Sequence, residues 1–121
     1  MKMILALALL AATFSASADF INPMDFDGTE AQKQEVIEFI QATVKKDYCE
    51  GGLDMCQEST LRMMEKQNLK AFKKLTNADN RNILDKVIAD YCDGSLDMCS
   101  YSTISMMYDQ NLKASKEKLS W

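Results

Sequence analysis

The sequence predicts an all-α protein: two tandem disulfide-stapled helical hairpins packed as a four-helix bundle. Three observations carry that prediction. The segment DYCEGGLDMC at 47–56 returns as DYCDGSLDMC at 90–99, and at the same offset of 43 residues the window 47–74 matches 90–117 at 18 of its 28 positions. Apolar residues around both copies recur at three- and four-residue steps, the period of an amphipathic helix. The two-residue alternation of a half-buried strand is not found. A repeat sets the architecture before any local motif is read, and two copies are too few for an extended solenoid.

In chain order, residues 1–18, MKMILALALLAATFSASA, are expected to be a secretory leader. Lys2 precedes a short apolar run from Met3 to Ala12, and Ala16-Ser17-Ala18 fits a small-x-small cleavage site. The remainder, 19–121, reads as one helical domain of two internal repeats, about 29–75 and 76–119. Pro23 marks a non-helical lead. Thr29 with Gln32 forms a possible capping box for a first helix whose stripe is Val36, Ile40, Val44 and Tyr48, with Ile37 beside it. Gly51-Gly52 stops that helix, because glycine enters the left-handed region cheaply. Asp54 is suited to cap the next helix, with Gln57 reaching back, and that helix is expected to run to about Leu75. Its stripe is Leu61, Met64, Asn68, Ala71, Phe72 and Leu75. The second copy repeats the plan: Thr76 or Asn77 as cap, a stripe of Ile83, Val87 and Tyr91, a break at Gly94, and a helix from about Asp97 to Lys118.

The four cysteines, Cys49, Cys56, Cys92 and Cys99, flank the two turns. In an exported chain of this size they read as two disulfides. Of the three pairings, the local ones, Cys49–Cys56 and Cys92–Cys99, are favoured because a tight helical turn brings those ends together. The alternative joins the two turns and requires the hairpins to lie side by side in parallel.

The chain has no His, which removes the commonest general base and metal ligand. Cysteines in disulfides are not nucleophiles, and no carboxylate pair stands out as an acid–base couple. No catalytic residue, cofactor or metal is therefore assigned, and an enzyme is not expected. The acidic turns Asp47-Glu50-Asp54 and Asp90-Asp93-Asp97 do not have the spacing of a calcium-binding EF-hand loop and read as solvated turn residues. Loss of Lys2 with the leader leaves thirteen basic against eighteen acidic residues, a formal charge of −5. That balance, with no basic stripe, argues against nucleic acid or anionic lipid as the main partner, and no stable membrane insertion is expected after leader cleavage.

Methionine is the unusual component. Met55, Met63 and Met64 are matched by Met98, Met106 and Met107. Adjacent residues cannot face one way on a helix, so Met64 belongs to the core stripe and Met63 to another surface. Met63 and Met106 are thus candidates for a partner-binding or homodimer surface, for contact within the hairpin, or for Cu(I) ligation by thioethers. Phe39 also projects off its stripe, where it either packs on Phe20, Ile21 and Phe26 or joins a binding surface. Asn68 and Asn111 sit within apolar stripes, where an amide needs partners; they are expected to bond to a neighbouring helix or turn.

From Cys56 the chain runs four residues to Leu61, two more to Met64-Glu65, then to Phe72 and Leu75. This resembles the Cys-x4-Leu-x2-Leu-Asp…Tyr pattern of LprI-like lysozyme-inhibitor domains, over about twenty residues per copy. The second copy keeps Cys99, Ile104 and Met107 but has Tyr108 and Ser115 at the acidic and aromatic positions. The resemblance implies a small exported helical protein that inhibits a lysozyme-type cell-wall hydrolase. From the residues themselves, the expectation is a non-enzymatic binding protein, secreted or periplasmic, with a protein partner.

Overall fold

Three of the four helices begin where a side chain takes up an unpaired backbone amide. The computed structural model describes residues 19–50, 55–94 and 98–121. The expected leader, Gly51-Gly52, Asp54 and Asp97 lie outside the described residues. A short 3-10 turn, Pro23–Asp25, precedes α1 (Glu30–Lys45), α2 (Glu58–Leu75), α3 (Arg81–Ile88) and α4 (Tyr101–Lys116). Among the described residues there is no strand.

Thr29 caps α1 as expected, its Oγ1 accepting from the Gln32 amide at 3.2 Å. The capping box is displaced by two residues. Gln32 Oε1 accepts from the Asp27 amide at 2.9 Å, and Asp27 Oδ1 in turn accepts from the Thr29 amide at 2.9 Å. Gly28, at φ +78°, supplies the left-handed step that folds Asp27 back over the helix start.

The other three helix starts differ from expectation. α2 begins at Glu58 behind Gln57, not behind Asp54, and α4 begins at Tyr101 behind Ser100, not near Asp97. Both shifts have one cause: the cysteine before each helix must stay outside it to reach its partner. The Ser100 Oγ then accepts from the Thr103 amide at 3.2 Å, whereas Gln57 makes no such bond. α3 is capped by Asn80, whose Oδ1 accepts from the Ile83 amide at 3.0 Å. Thr76 and Asn77 instead close α2, the Thr76 hydroxyl and Asn77 amide donating to the Lys73 and Lys74 carbonyls. Those carbonyls are among the four a helix end leaves without internal partners.

The disulfides are the local ones, Cys49–Cys56 and Cys92–Cys99, each with a Cα–Cα distance of 4.6 Å. A feature the sequence reading did not anticipate prepares both. α1 and α3 each end in a five-residue π turn, Lys46–Glu50 and Ala89–Asp93. A π turn rotates each residue through less angle than an α turn, so Tyr48-Cys49 and Tyr91-Cys92 lag toward the inward face. All four are half-buried. Gly94 then leaves in extended backbone, φ −87° and ψ −173°, not in the left-handed conformation expected of a glycine stop. It is needed for space: a Cβ there would lie 2.9 Å from the Asp90 carbonyl oxygen.

α2 packs against α1 and α4, and α4 packs against α2 and α3. Two apolar clusters fill the layers, and each borrows a residue from the other half. The first holds Ile21, Val36, Ile40, Val44 and Phe72 together with Tyr101 from α4. The second holds Leu84, Val87, Ile104 and Tyr108 together with Leu75 from α2. Leu84, fully buried, lies beside the expected Ile83–Val87 stripe and forms its deepest point.

Tyr101 joins the lead to the bundle. Its ring centroid is 4.8 Å from that of Phe72, 5.1 Å from Phe20 and 5.3 Å from Phe39. Its hydroxyl accepts from the Ile21 amide at 3.1 Å and donates to the Ile21 carbonyl at 2.9 Å. Burial, the larger effect, raises the hydroxyl's pKa above the ordinary phenol value, and the Ile21 amide only partly offsets it.

Candidate functional site

The paired methionines divide as their spacing requires. Met64 and Met107 are half-buried against the first and second clusters. Met63 and Met106 turn outward and are 53% and 54% exposed; Met55 and Met98, each beside a disulfide, are 47% and 50% exposed. Met63 lies in a shallow hollow with Ser59, Arg62, Lys66, Gln67 and Lys70. An exposed thioether leaves apolar surface in water yet adapts its shape to what covers it.

Phe39 is placed against the N-terminal lead, edge-on to Phe20 at 5.5 Å and to Tyr101 at 5.3 Å. Its ring is half-buried there and is engaged in packing. The residues that carry the LprI-like pattern are likewise inward. Leu61, Met64 and Phe72 belong to the first cluster and Leu75 to the second, while Glu65 pairs with Arg62 at 3.0 Å.

A site the sequence reading passed over lies between α1 and α2. Three contiguous hollows run from the Thr76 end of the pair to the first disulfide, about 330, 110 and 330 Å³ in volume. Their floor is apolar, with Val36, Ile37, Leu69 and Phe72 at one end. Lys33 and Lys45 on α1, and Arg62, Lys66 and Lys73 on α2, stand along the walls. The signal was present: Lys33, Ile37, Gln41 and Lys45 follow at four-residue steps, hence on one face of α1. Sequence alone does not single it out, because that face flanks the buried Val36-Ile40-Val44 stripe and becomes a groove wall only once α2 is docked.

Among the described residues, no group of three His, Cys, Asp or Glu side chains could hold a metal ion, and no helix is long and apolar enough to cross a membrane. Against family models, curated proteins and solved structures, the chain has no match. The two disulfides fit an oxidising compartment outside the cytoplasm.

Proposed function

We propose that this is an exported, non-catalytic binding protein that engages a protein partner through the outward methionines of α2 and α4. One observation carries the reading: Met63 and Met106, at matched positions of the two copies, are both about half exposed while their neighbours Met64 and Met107 turn inward. Unbranched thioethers fit partners of irregular shape, and adaptable contact surfaces are rich in them. The leader expected at 1–18 and the two disulfides support export.

The test uses the oxidised protein and a Met63→Gln/Met106→Gln variant as baits against the native envelope and extracellular fractions. The wild type is expected to retain one protein in stoichiometric amount, and the variant to lose it with an unchanged melting temperature. Equal retention by both baits would remove the methionine surface from the reading. Two further assays address the alternatives. Loss of lysozyme activity on adding the protein would replace the reading with hydrolase inhibition, and Cu(I) affinity that disappears in the variant would replace it with copper binding.

A further inference from the structure

Of the surfaces outside the methionine faces, the groove between α1 and α2 has the most definite chemistry. The chain carries a formal charge of −4, yet the groove walls carry five cations, Lys33, Lys45, Arg62, Lys66 and Lys73, against two anions, Glu58 and Glu65. Both anions pair with Arg62, and Lys33 pairs with the exposed Glu30 at 3.0 Å. Lys45, Lys66 and Lys73 have no ion pair among the described residues. An acidic protein that gathers cations beside an apolar slot is complementary to a ligand with an anionic head and an apolar body.

The floor decides what kind of body. Val36 and Phe72 are buried, Leu69 is half-buried, and only Ile37, at 37%, is exposed. The apolar strip offers only Ile37 and the half-buried Leu69 near its surface, fewer anchors than the face of a helix uses in a groove. From Lys33 to Lys45 it runs about 18 Å at 1.5 Å per residue. A strip of that length matches one extended alkyl chain. Lys33 on α1 and Lys73 on α2 line the same hollow at the Thr76 end, so two cations from different helices flank the place a carboxylate head would take.

We infer that the α1–α2 groove binds a free single-chain anionic amphiphile of the long-chain carboxylate class, with the head held between Lys33 and Lys73 and the chain laid over Ile37 and Leu69. This site is distinct from the methionine surface. Arg62 and Lys66 line both the groove and the Met63 hollow and so form the ridge between them. The two proposals therefore fail separately: Met63→Gln/Met106→Gln should leave amphiphile binding intact.

Calorimetric titration of the oxidised full chain with sodium dodecanoate below its micellar concentration tests the inference. Saturable one-to-one binding is expected, weakening as salt is raised, with none for dodecyltrimethylammonium. Lys33→Gln/Lys73→Gln should raise Kd about tenfold, the loss of charge-assisted hydrogen bonds to the head. Ile37→Glu should abolish binding, and Lys113→Gln on α4 should not change it. Melting temperatures show that each variant is folded, and Lys73→Glu serves if Ile37→Glu is not. Equal binding of the two detergents would overturn the proposal as unspecific apolar adsorption. So would dodecanoate affinity unaffected by the lysine and isoleucine variants. Binding to anionic vesicles or to an acidic amphipathic peptide without binding to dodecanoate assigns the groove to those partners instead. Dimerisation that Ile37→Glu abolishes assigns it to a second copy of the chain.

Discussion

Asn68 and Asn111 occupy matched positions and show how much one side chain depends on what faces it. Asn68 is buried; its Nδ2 donates to the Met64 carbonyl at 2.9 Å and its Oδ1 accepts from the Ser102 amide at 3.1 Å. Ser102 is the second residue of α4, so Asn68 lends a cap from a different helix to an amide otherwise left unpaired. The expected partner in a neighbouring helix is found for Asn68 but not for Asn111, which is exposed and bonds only to its own helix at Met107. Asn68→Ala is expected to destabilise by about 1–2 kcal/mol, and Asn111→Ala by less than about 0.5 kcal/mol, in chemical denaturation. A second residue-scale device ties the lead to α3. Arg81 Nη1 and Nη2 donate to the two Asp25 oxygens at 2.7 and 2.9 Å, and that pairing chiefly holds the Asp25 carboxyl below its ordinary pKa of 3.8. A carboxylate with a lowered folded-state pKa stabilises the fold above its unfolded value and loses that contribution as pH falls through the folded one. The Arg81–Asp25 contribution is therefore complete above pH 3.8 and fades below it. Asp25→Asn should flatten the acid side of a plot of melting temperature against pH without altering its slope near neutrality, and high salt should shrink the difference because both groups are exposed.

The helices themselves were readable because burial repeats at their period: Val36, Ile40 and Val44, or Phe72 and Leu75, sit inward wherever the chain goes next. Their starts were less so. Asp54 and Asp97 have capping chemistry, yet the helices begin at Glu58 and Tyr101 because closure of each disulfide overrides local propensity. The π turns were not foreseen, since KDYCE and ADYCD continue the helical stripes through Tyr48 and Tyr91 without a Gly or Pro break. The aromatic cluster around Tyr101 was legible only in part: Phe39 packs on Phe20 of the lead, one of its two expected places, whereas Phe72 and Tyr101 were not expected to join them. Its members come from the lead, α1, α2 and α4, and no window of sequence contains them. The disulfides should stabilise the hairpins by limiting the unfolded chain. Each spans a sequence separation of 7, so replacing either pair with serine is expected to cost about 2–3 kcal/mol on the chain-entropy account. Gly94→Ala, which places a methyl against the Asp90 carbonyl, should weaken the second closure; slower recovery of the Cys92–Cys99 bond during oxidative refolding would show it.

At the scale of the molecule, the contacts between the halves show how the two copies are stacked. Asn68 meets Ser102 and Lys74 meets Asp109, sequence separations of 34 and 35, whereas matched residues are 43 apart. Both contacts advance in the same sense, so α2 and α4 run in the same general direction, with the later part of α2 set against the earlier part of α4. Such a relation does not close on itself: repeated, it would add further units at either end. The sequence differs between copies at the very positions that would accept them. Phe72 and Leu75, which receive the second half, are matched by Ser115 in the last turn of α4 and Lys118 just beyond it. Tyr101 and Tyr108, which enter the junction from the second half, are matched by Glu58 and Glu65 on α2. Apolar residues fill the junction between the copies, while Glu58, Glu65, Ser115 and Lys118 put charged or polar groups at the matched positions outside it, a protection against further stacking of the same kind. Restoring the junction chemistry at the ends should therefore undo that protection. A Glu58→Tyr/Ser115→Phe variant is expected to associate head to tail, its mass in sedimentation rising with concentration beyond a dimer, while each single change leaves one end polar and the association weak. A double variant that sediments like the wild type at every concentration would mean that the junction needs more than its aromatic pair, and that Leu75 and Tyr108 hold the halves together.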